Sequence, residues 1–290
     1  APLFEKASID EFYIDLTGMD RFFNPFEWTI DLRKQIIEET KLPISFGLSS
    51  NKMVSKIATD EAKPNGYLFI QPGREKEFLA PLGVNKFSGV GEHTFQKLKS
   101  MGIFLIGDIL KHNIGYLEQE LGKWGVALYE KAQGISNSEV HQWHEAKSIS
   151  NENTFSENIT DRDELLKHLV RQTEKVAYEL RADNMWCGCI AVKIRYPNFE
   201  TTQKQTTIDY TFSDDELIPQ AIKLFDKLWQ KGHPVRLLGV RVSELTNHSI
   251  QTNLFENVEK KTNLYKAIDE VKNRFGKTYL SKARTINKKG

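Results

Sequence analysis

Asp10 and Glu11 are adjacent carboxylates, and carboxylate oxygens are the donors that hard divalent cations such as Mg2+ prefer. A site built on two such cations needs several acids from different chain segments, so one pair is only part of such a site. Two acids in a row also occur on solvated strands. Their flanks, Ala7-Ser8-Ile9 and Phe12-Tyr13-Ile14, read as buried strand, so the charges interrupt an apolar run and require partners. Lys52, Lys56 and Lys63 follow at i, i+4 and i+11, offsets that fall within roughly 40° of one another on a helix. A lysine stripe of this kind is ordinarily a solvated face. A triphosphate would give Lys63, which sits where Pro64-Asn65-Gly66 stops the helix, a reason to project from the C-terminal turn.

Ser88-Gly89-Val90-Gly91 precedes a helix carrying Phe95 and Leu98 that closes at Met101-Gly102-Ile103. This is the form of a helix-hairpin-helix. Gly89 and Gly91 let the backbone turn tightly, so that its N–H groups and the following helix start can face a DNA phosphate. Such contacts read no bases. Cys187 and Cys189 lie two apart on a strand and are expected on one face. No further soft or imidazole ligand stands at zinc spacing, so core packing is the expectation. The seven histidines form no triad or metal motif.

The elements that must hold these residues alternate at first between strand and helix. Ala7–Leu16 reads as a strand, 28–40 as a helix, Ile44–Leu48 as a strand, Lys52–Ala62 as a helix capped by Ser49-Ser50-Asn51, and Tyr67–Ile70 as a strand. That makes residues 1–73 part of an α/β unit. Residues 74–147 read as short helices separated by glycines, at Glu75–Leu82, His93–Met101, Ile106–Leu110, Ile114–Leu121 and Trp124–Ala132, with His141–Lys147 as a linker. Residues 148–245 then run strand Ser148–Phe155, helix Asp161–Ala182, strand Cys187–Tyr196, strand Lys204–Phe212, helix Asp214–Gln230 and strand Arg236–Leu245. This β-α-β-β-α-β order is that of a ferredoxin-like sandwich with one open sheet face. A basic tail, 246–290, carries one helix, Val258–Phe275. The fold class is α+β and multidomain.

At 290 residues and 39% hydrophobic composition the chain is ordinary globular material of about two domains. It has no apolar run near the ~18 residues that span a bilayer and no signal peptide, which argues against a membrane partner. Two cysteines exclude a disulfide framework and suit a reducing, cytoplasmic setting. The formal charge is only +1, but it is unevenly spread: four basic against nine acidic residues in 1–40, and ten against six in 41–112. The tail, 246–290, has ten basic against four acidic residues. An acidic opening beside a basic segment suits a metal site next to an anion-binding surface; variation among solvated faces would also produce it.

Taken together, these segments resemble one family. Ser8-Ile9-Asp10-Glu11-Phe12-Tyr13-Ile14-Asp15 resembles the catalytic palm motif of Y-family translesion DNA polymerases, nearest the bacterial DNA polymerase IV branch. Gly47-Leu48-Ser49-Ser50-Asn51-Lys52, Ser55-Lys56-Ile57-Ala58 and Ala62-Lys63-Pro64-Asn65-Gly66 resemble its second signature. The helix-hairpin-helix is similar to its thumb, and the β-α-β-β-α-β unit to its little-finger domain, so the resemblance covers roughly residues 3–280. It implies template-directed, error-prone synthesis past damaged bases without proofreading. Asp10 and Glu11 would be ligands of two Mg2+ ions, with Asp10 bridging both, and Lys63 would contact the incoming deoxynucleoside triphosphate. Gly89 and Gly91 would hold phosphates of primer-template DNA. Lys193, Arg195, Lys204 and Arg241, on little-finger strands, are candidates for further phosphate contacts, with the strand register left open.

Family members begin with a strand carrying another metal-binding Asp, followed by the fingers. This chain starts at Ala1 without Met and opens on the motif, so it reads as a fragment or processed product that is inactive alone. Gln251-Thr252-Asn253-Leu254-Phe255 resembles the peptide that docks on the bacterial sliding clamp, through Gln251, Leu254 and Phe255. A monomer is expected. The rival reading is a non-catalytic, polymerase-like adaptor for DNA and clamp, but such adaptors lose the carboxylates that stand here. A helix-hairpin-helix repair nuclease would need an acidic cluster near the hairpin, where the sequence has none.

Overall fold

Leu3–Lys6 (β1) and Phe12–Asp15 (β2) pair antiparallel, Leu3 opposite Asp15 and Lys6 opposite Phe12. The strand expected over Ala7–Leu16 is thus shorter, and residues 7–11 are the connection of a hairpin. Both Ala7 N–H and Ser8 N–H donate to the Glu11 carbonyl, at 3.0 and 3.1 Å. The two acids therefore break no buried strand. They sit at a tip where water reaches them, and Ile9 beside them is 95% exposed.

The computed structural model describes residues 2–142, 145–247, 258–276, 279, 280 and 282. The chain divides into two units, Ala1–His144 and Glu145–Gly290. In the first, Pro25–Thr40 (α1) starts with Pro at a position that needs no N–H, and Asn24 Oδ1 accepts from Phe26 N–H at 3.0 Å. Phe46–Leu48 (β3) and Tyr67–Phe69 (β4) run parallel, joined through Lys52–Glu61 (α2). Asn51 caps α2 by accepting from Val54 N–H at 3.1 Å. Gly47 allows β3 to lie on α2: a Cβ there would stand 2.4 Å from the Ser55 carbonyl oxygen.

Five short helices follow, Glu75–Leu79 (α3), Glu92–Ser100 (α4), Ile106–Ile109 (α5), Ile114–Leu121 (α6) and Lys123–Ala132 (α7). Leu79, Leu98, Ile103, Ile106, Leu117 and Leu128 from this helical part share one core with Val54 and Ile57 of α2. Asp108 fixes the turn into α5. It accepts from Lys111 Nζ at 2.8 Å and from Leu105 and Phe104 N–H at 2.8 and 3.1 Å, which together hold its carboxyl at about 2.

The second unit is a four-stranded sheet under two helices. Its elements are Ser148–Ile159 (β5), Arg162–Ala182 (α8), Trp186–Arg195 (β6), Thr201–Thr211 (β7), Asp214–Leu228 (α9) and Val235–Thr246 (β8). The β-α-β-β-α-β order is as expected, with the strands ordered β5-β8-β6-β7 and every neighbouring pair antiparallel. Leu165, Leu169, Val176 and Leu180 of α8 and Leu217 and Phe225 of α9 pack on Ile190, Val192, Ile194, Val240 and Val242. Cys187 joins this core. Burial pushes its thiol up to about 12, and its Sγ lies 3.4 Å from the Thr211 carbonyl oxygen. Cys189 is in register with Thr207 and Ser243 on the other face. The expectation that both thiols share a face fails because the β6–β7 ladder is irregular between them.

Val258–Phe275 (α10) is tied to this unit by, among other contacts, a cluster around the buried cation of Arg181. Arg181 of α8, its side chain 8% exposed, donates to Asp214 Oδ1 at 2.7 Å and to Asp269 of α10 at 2.6 and 3.0 Å. Its guanidinium also stacks 4.5 Å from the ring centroid of Tyr265, which is 2% exposed. The Tyr265 hydroxyl lies 3.0 Å from Ser213 Oγ and from Asp215 Oδ2. Among the described residues no helix is long and apolar enough to cross a membrane.

Candidate active site and nucleic-acid interface

The hairpin tip presents Asp10 exposed, with Ser8 Oγ donating to its Oδ1 at 2.7 Å. Glu11 is ion-paired with Lys56 of α2. Lys56 also lies 3.6 Å from Asp60, one turn on, and Asp60 accepts from Lys63 Nζ at 2.9 Å. The lysine stripe is therefore not a bare cationic face. Its charges alternate along one line: Glu11, Lys56, Asp60, Lys63. Burial works against ionisation at Lys56, yet the hydrogen bond to Glu11 and the charge of Asp60 hold its pKa above the ordinary lysine value. Burial likewise opposes ionisation at Asp60, but Lys63 and Lys56 keep its carboxyl below the usual range. Lys63 lies beyond the end of α2, in the turn before β4, with its side chain 53% exposed.

Lys52 has a different role. Its Nζ donates to both oxygens of Glu5 at 2.6 and 2.7 Å and lies 4.8 Å from the Tyr13 ring centroid. Glu5, which is buried, also accepts from His141 N–H at 2.8 Å. This pair ties the hairpin to α2. Glu5 does not stand out in the sequence, because a lone acid before an apolar run carries no periodic signal.

Among the described residues no group of three or more His, Cys, Asp or Glu is arranged to hold a metal. Asp10 and Glu11 nevertheless have the right chemistry for a hard cation, being oxygen donors on a water-exposed turn, and they fit one as two of its ligands. The hairpin between Phe87 and α4 has open backbone where the sequence places it. Gly89 has φ +94, a conformation that side chains resist, and no atom lies within 4 Å of where a Cβ would stand at Gly89 or Gly91.

On the second unit the register separates the four basic candidates. Lys193 is opposite Gly239, Arg195 opposite Leu237 and Arg241 opposite Ala191, all on the face away from the helices. A shallow groove there is lined by Ser150, Glu152, Lys193, Gln203, Gly239 and Arg241. Lys193 donates to Glu152 at 2.8 Å and Arg195 to Thr201 Oγ1 at 2.8 Å. Lys204 is opposite Val192, a core residue, and so lies on the helix side of edge strand β7, apart from the other three. Gln251, Leu254 and Phe255 lie outside the described residues.

Known proteins match each part of this arrangement. The impB/mucB/samB family matches residues 1–60, the DNA polymerase-iota thumb domain residues 86–136, and the impB/mucB/samB family C-terminal domain residues 146–254. The chain is 36% identical over 241 residues to the DNA polymerase IV of Methanoculleus marisnigri, covering 83% of this chain and 67% of that one. It is 33% identical over 282 residues to that of Desulfatibacillum aliphaticivorans, with 95% and 71% covered. With that of Dehalococcoides mccartyi it shares 31% over 292 residues, with 100% and 75% covered. Among solved structures, a Y-family DNA polymerase chimera, Dbh-Dpo4-Dbh, is similar at TM-score 0.73 and 26% identity, over 85% of this chain and 72% of that one. A Dbh ternary complex is similar at TM-score 0.55 and 27% identity, over 83% and 72%. The chain belongs to the Y family, the DNA-directed DNA polymerases that include these DNA polymerase IV relatives.

Proposed function

We propose that in translesion DNA synthesis Asp10 and Glu11 serve as the metal-binding carboxylates, with Mg2+ as the cation, and Lys63 as a contact of the incoming triphosphate. The observation that carries this reading is the pair of acids on an exposed tip, in line with a lysine that ends at an exposed turn. Two divalent cations held there would supply Lewis-acid polarisation of the primer 3′-hydroxyl and charge compensation at the pyrophosphate. Asp10 and Glu11 would hold them, Lys63 would draw in the triphosphate, and Lys52 with Glu5 ties the hairpin to α2.

Primer-template DNA and deoxynucleoside triphosphates are then the substrates. Gly89 and Gly91 offer backbone N–H groups to phosphates, and Lys193, Arg195 and Arg241 offer charge from the open sheet face. Binding of this kind is electrostatic and indifferent to sequence. In fluorescence anisotropy titrations across a salt series, replacing Lys193, Arg195 or Arg241 by Ala should each flatten the log–log salt slope by about 0.9 for every phosphate no longer neutralised. Lys204→Ala should leave the slope alone. A wild-type slope near zero, or an equal effect from Lys204, would sink this assignment.

Gln251, Leu254 and Phe255 make the third part of the proposal, a peptide for the bacterial sliding clamp. Leu254 and Phe255 are adjacent large apolar residues in a polar, basic stretch with no period that would bury them. The double variant Leu254→Ala/Phe255→Ala should lose clamp affinity in surface plasmon resonance while its melting temperature barely moves. Were the pair part of a core, each truncation would cost about 2–5 kcal/mol and the protein would melt early.

A further inference from the structure

The four alternating charges that run from the hairpin tip to the turn after α2 are Glu11, Lys56, Asp60 and Lys63. Three contacts link them, and the middle one differs from the others. Lys56 and Lys63 each hold one close carboxylate partner, Glu11 and Asp60 respectively, the second at 2.9 Å. Lys56 and Asp60, one helical turn apart on α2, stand at 3.6 Å, within ion-pair reach but looser. The two outer groups are the ones read above as a cation ligand and a phosphate contact. In the free chain each of them already has an opposite charge on it.

We propose that Lys56 and Asp60 are a standby ion pair that exchanges partners when the site loads. As a divalent cation takes Glu11, Lys56 turns to Asp60; as a triphosphate takes Lys63, Asp60 turns to Lys56. The exchange needs no backbone movement, because residues i and i+4 on a helix already face each other. It also leaves no lone charge. The ligands displace one end of each outer pair, and the two inner groups that are released neutralise one another. Lys56 and Asp60 are thus positioning residues. They lower the cost of freeing Glu11 and Lys63 and link the two events, since each release supplies the partner the other needs.

This inference rests on Glu11 being a cation ligand and Lys63 a phosphate contact, and the test separates the two levels. Mn2+ binding to the whole chain is followed by electron paramagnetic resonance, and inorganic triphosphate binding by calorimetry. Lys56→Met should tighten Mn2+ by about two- to fivefold, the range for removing one partner of a half-exposed pair, and Lys56→Arg should keep the wild-type value. Asp60→Asn should move the two ligands in opposite directions. Triphosphate should bind more tightly, because Lys63 has lost its resident acceptor. Mn2+ should bind more weakly, because Lys56 has nowhere else to turn, and this weakening should vanish when Lys56→Met is also present. A structural role for either residue would move both ligands the same way and overturn the proposal. If Glu11→Gln weakens Mn2+ while Lys56→Met does not tighten it, the exchange alone is wrong. If Glu11→Gln leaves Mn2+ unchanged, the cation assignment itself is wrong and the exchange falls with it.

Discussion

In the full-length enzyme, alanine at Asp10 or at Glu11 is expected to extinguish Mg2+-dependent primer extension, by about a thousandfold or more, with primer-template affinity little changed. The size follows from the role: losing a cation ligand forfeits several kcal/mol of transition-state stabilisation, and each ~1.4 kcal/mol is tenfold in rate. The selectivity follows from position. Both acids sit on the hairpin tip, and neither is among the groups proposed to hold DNA phosphate, so their loss removes no such group. Lys63→Ala should behave differently and raise the KM for nucleotide, because the lysine holds the triphosphate already in the ground state. Single-turnover extension and anisotropy on the same variants check this. A parallel loss of extension and DNA affinity in the carboxylate variants would make the pair structural.

The largest stability effect is expected at Arg181. Its side chain is 8% exposed and holds Asp214 and Asp269, themselves 4% and 16% exposed. Arg181→Met fills most of the volume but strands two buried carboxylates, and breaking a buried pair from one side costs about 3–5 kcal/mol. Urea unfolding of the whole chain should show that loss, with α10 amides exchanging hydrogen fastest of the second unit's helices. Adding Asp214→Asn and Asp269→Asn to Arg181→Met should recover much of it, since no unpaired charge then remains. A loss below about 1 kcal/mol, the level of a surface pair, would mean that water reaches the cluster.

Helices with their own caps and spacing were legible residue by residue. Ile114–Leu121 and Val258–Phe275 are found within the bounds read from the sequence. For the first, Asn113 accepts from Gly115 N–H at 2.7 Å, a local signal that needs no tertiary partner. The β-α-β-β-α-β order was legible for the same reason. The hairpin tip was not, because Ile, Phe and Tyr around Asp10 and Glu11 are strand formers whether the chain runs straight or turns, and pairing with β1 decides it. Nor was the face of Lys204: Thr201–Thr211 is polar at almost every position, so no alternation fixes which side meets the core, and only the pairing of Lys204 with Val192 does. The alternating line at α2 was half visible. Its lysines stand at helical spacing, whereas the acid that begins it comes from a hairpin 45 residues earlier. Arg181 was hidden altogether, since its partners lie 33 and 88 residues away.

The docking of α10 bears on what would follow from a break in the chain. β8 ends at Thr246 within the sheet, and α10 begins at Val258 and is held to α8 and α9 by Arg181, Tyr265 and Asp215. A protease that cut between them would remove a covalent bond and leave the cluster around Arg181 in place. Helix α10 would then be a peptide ligand of the domain it came from. Its hold before the cut benefits from an effective concentration that short connections set in the millimolar range; afterwards it depends on dilution. The nicked protein would migrate as one species when concentrated and shed α10 when dilute, and the docking of this helix could be measured as an ordinary dissociation constant.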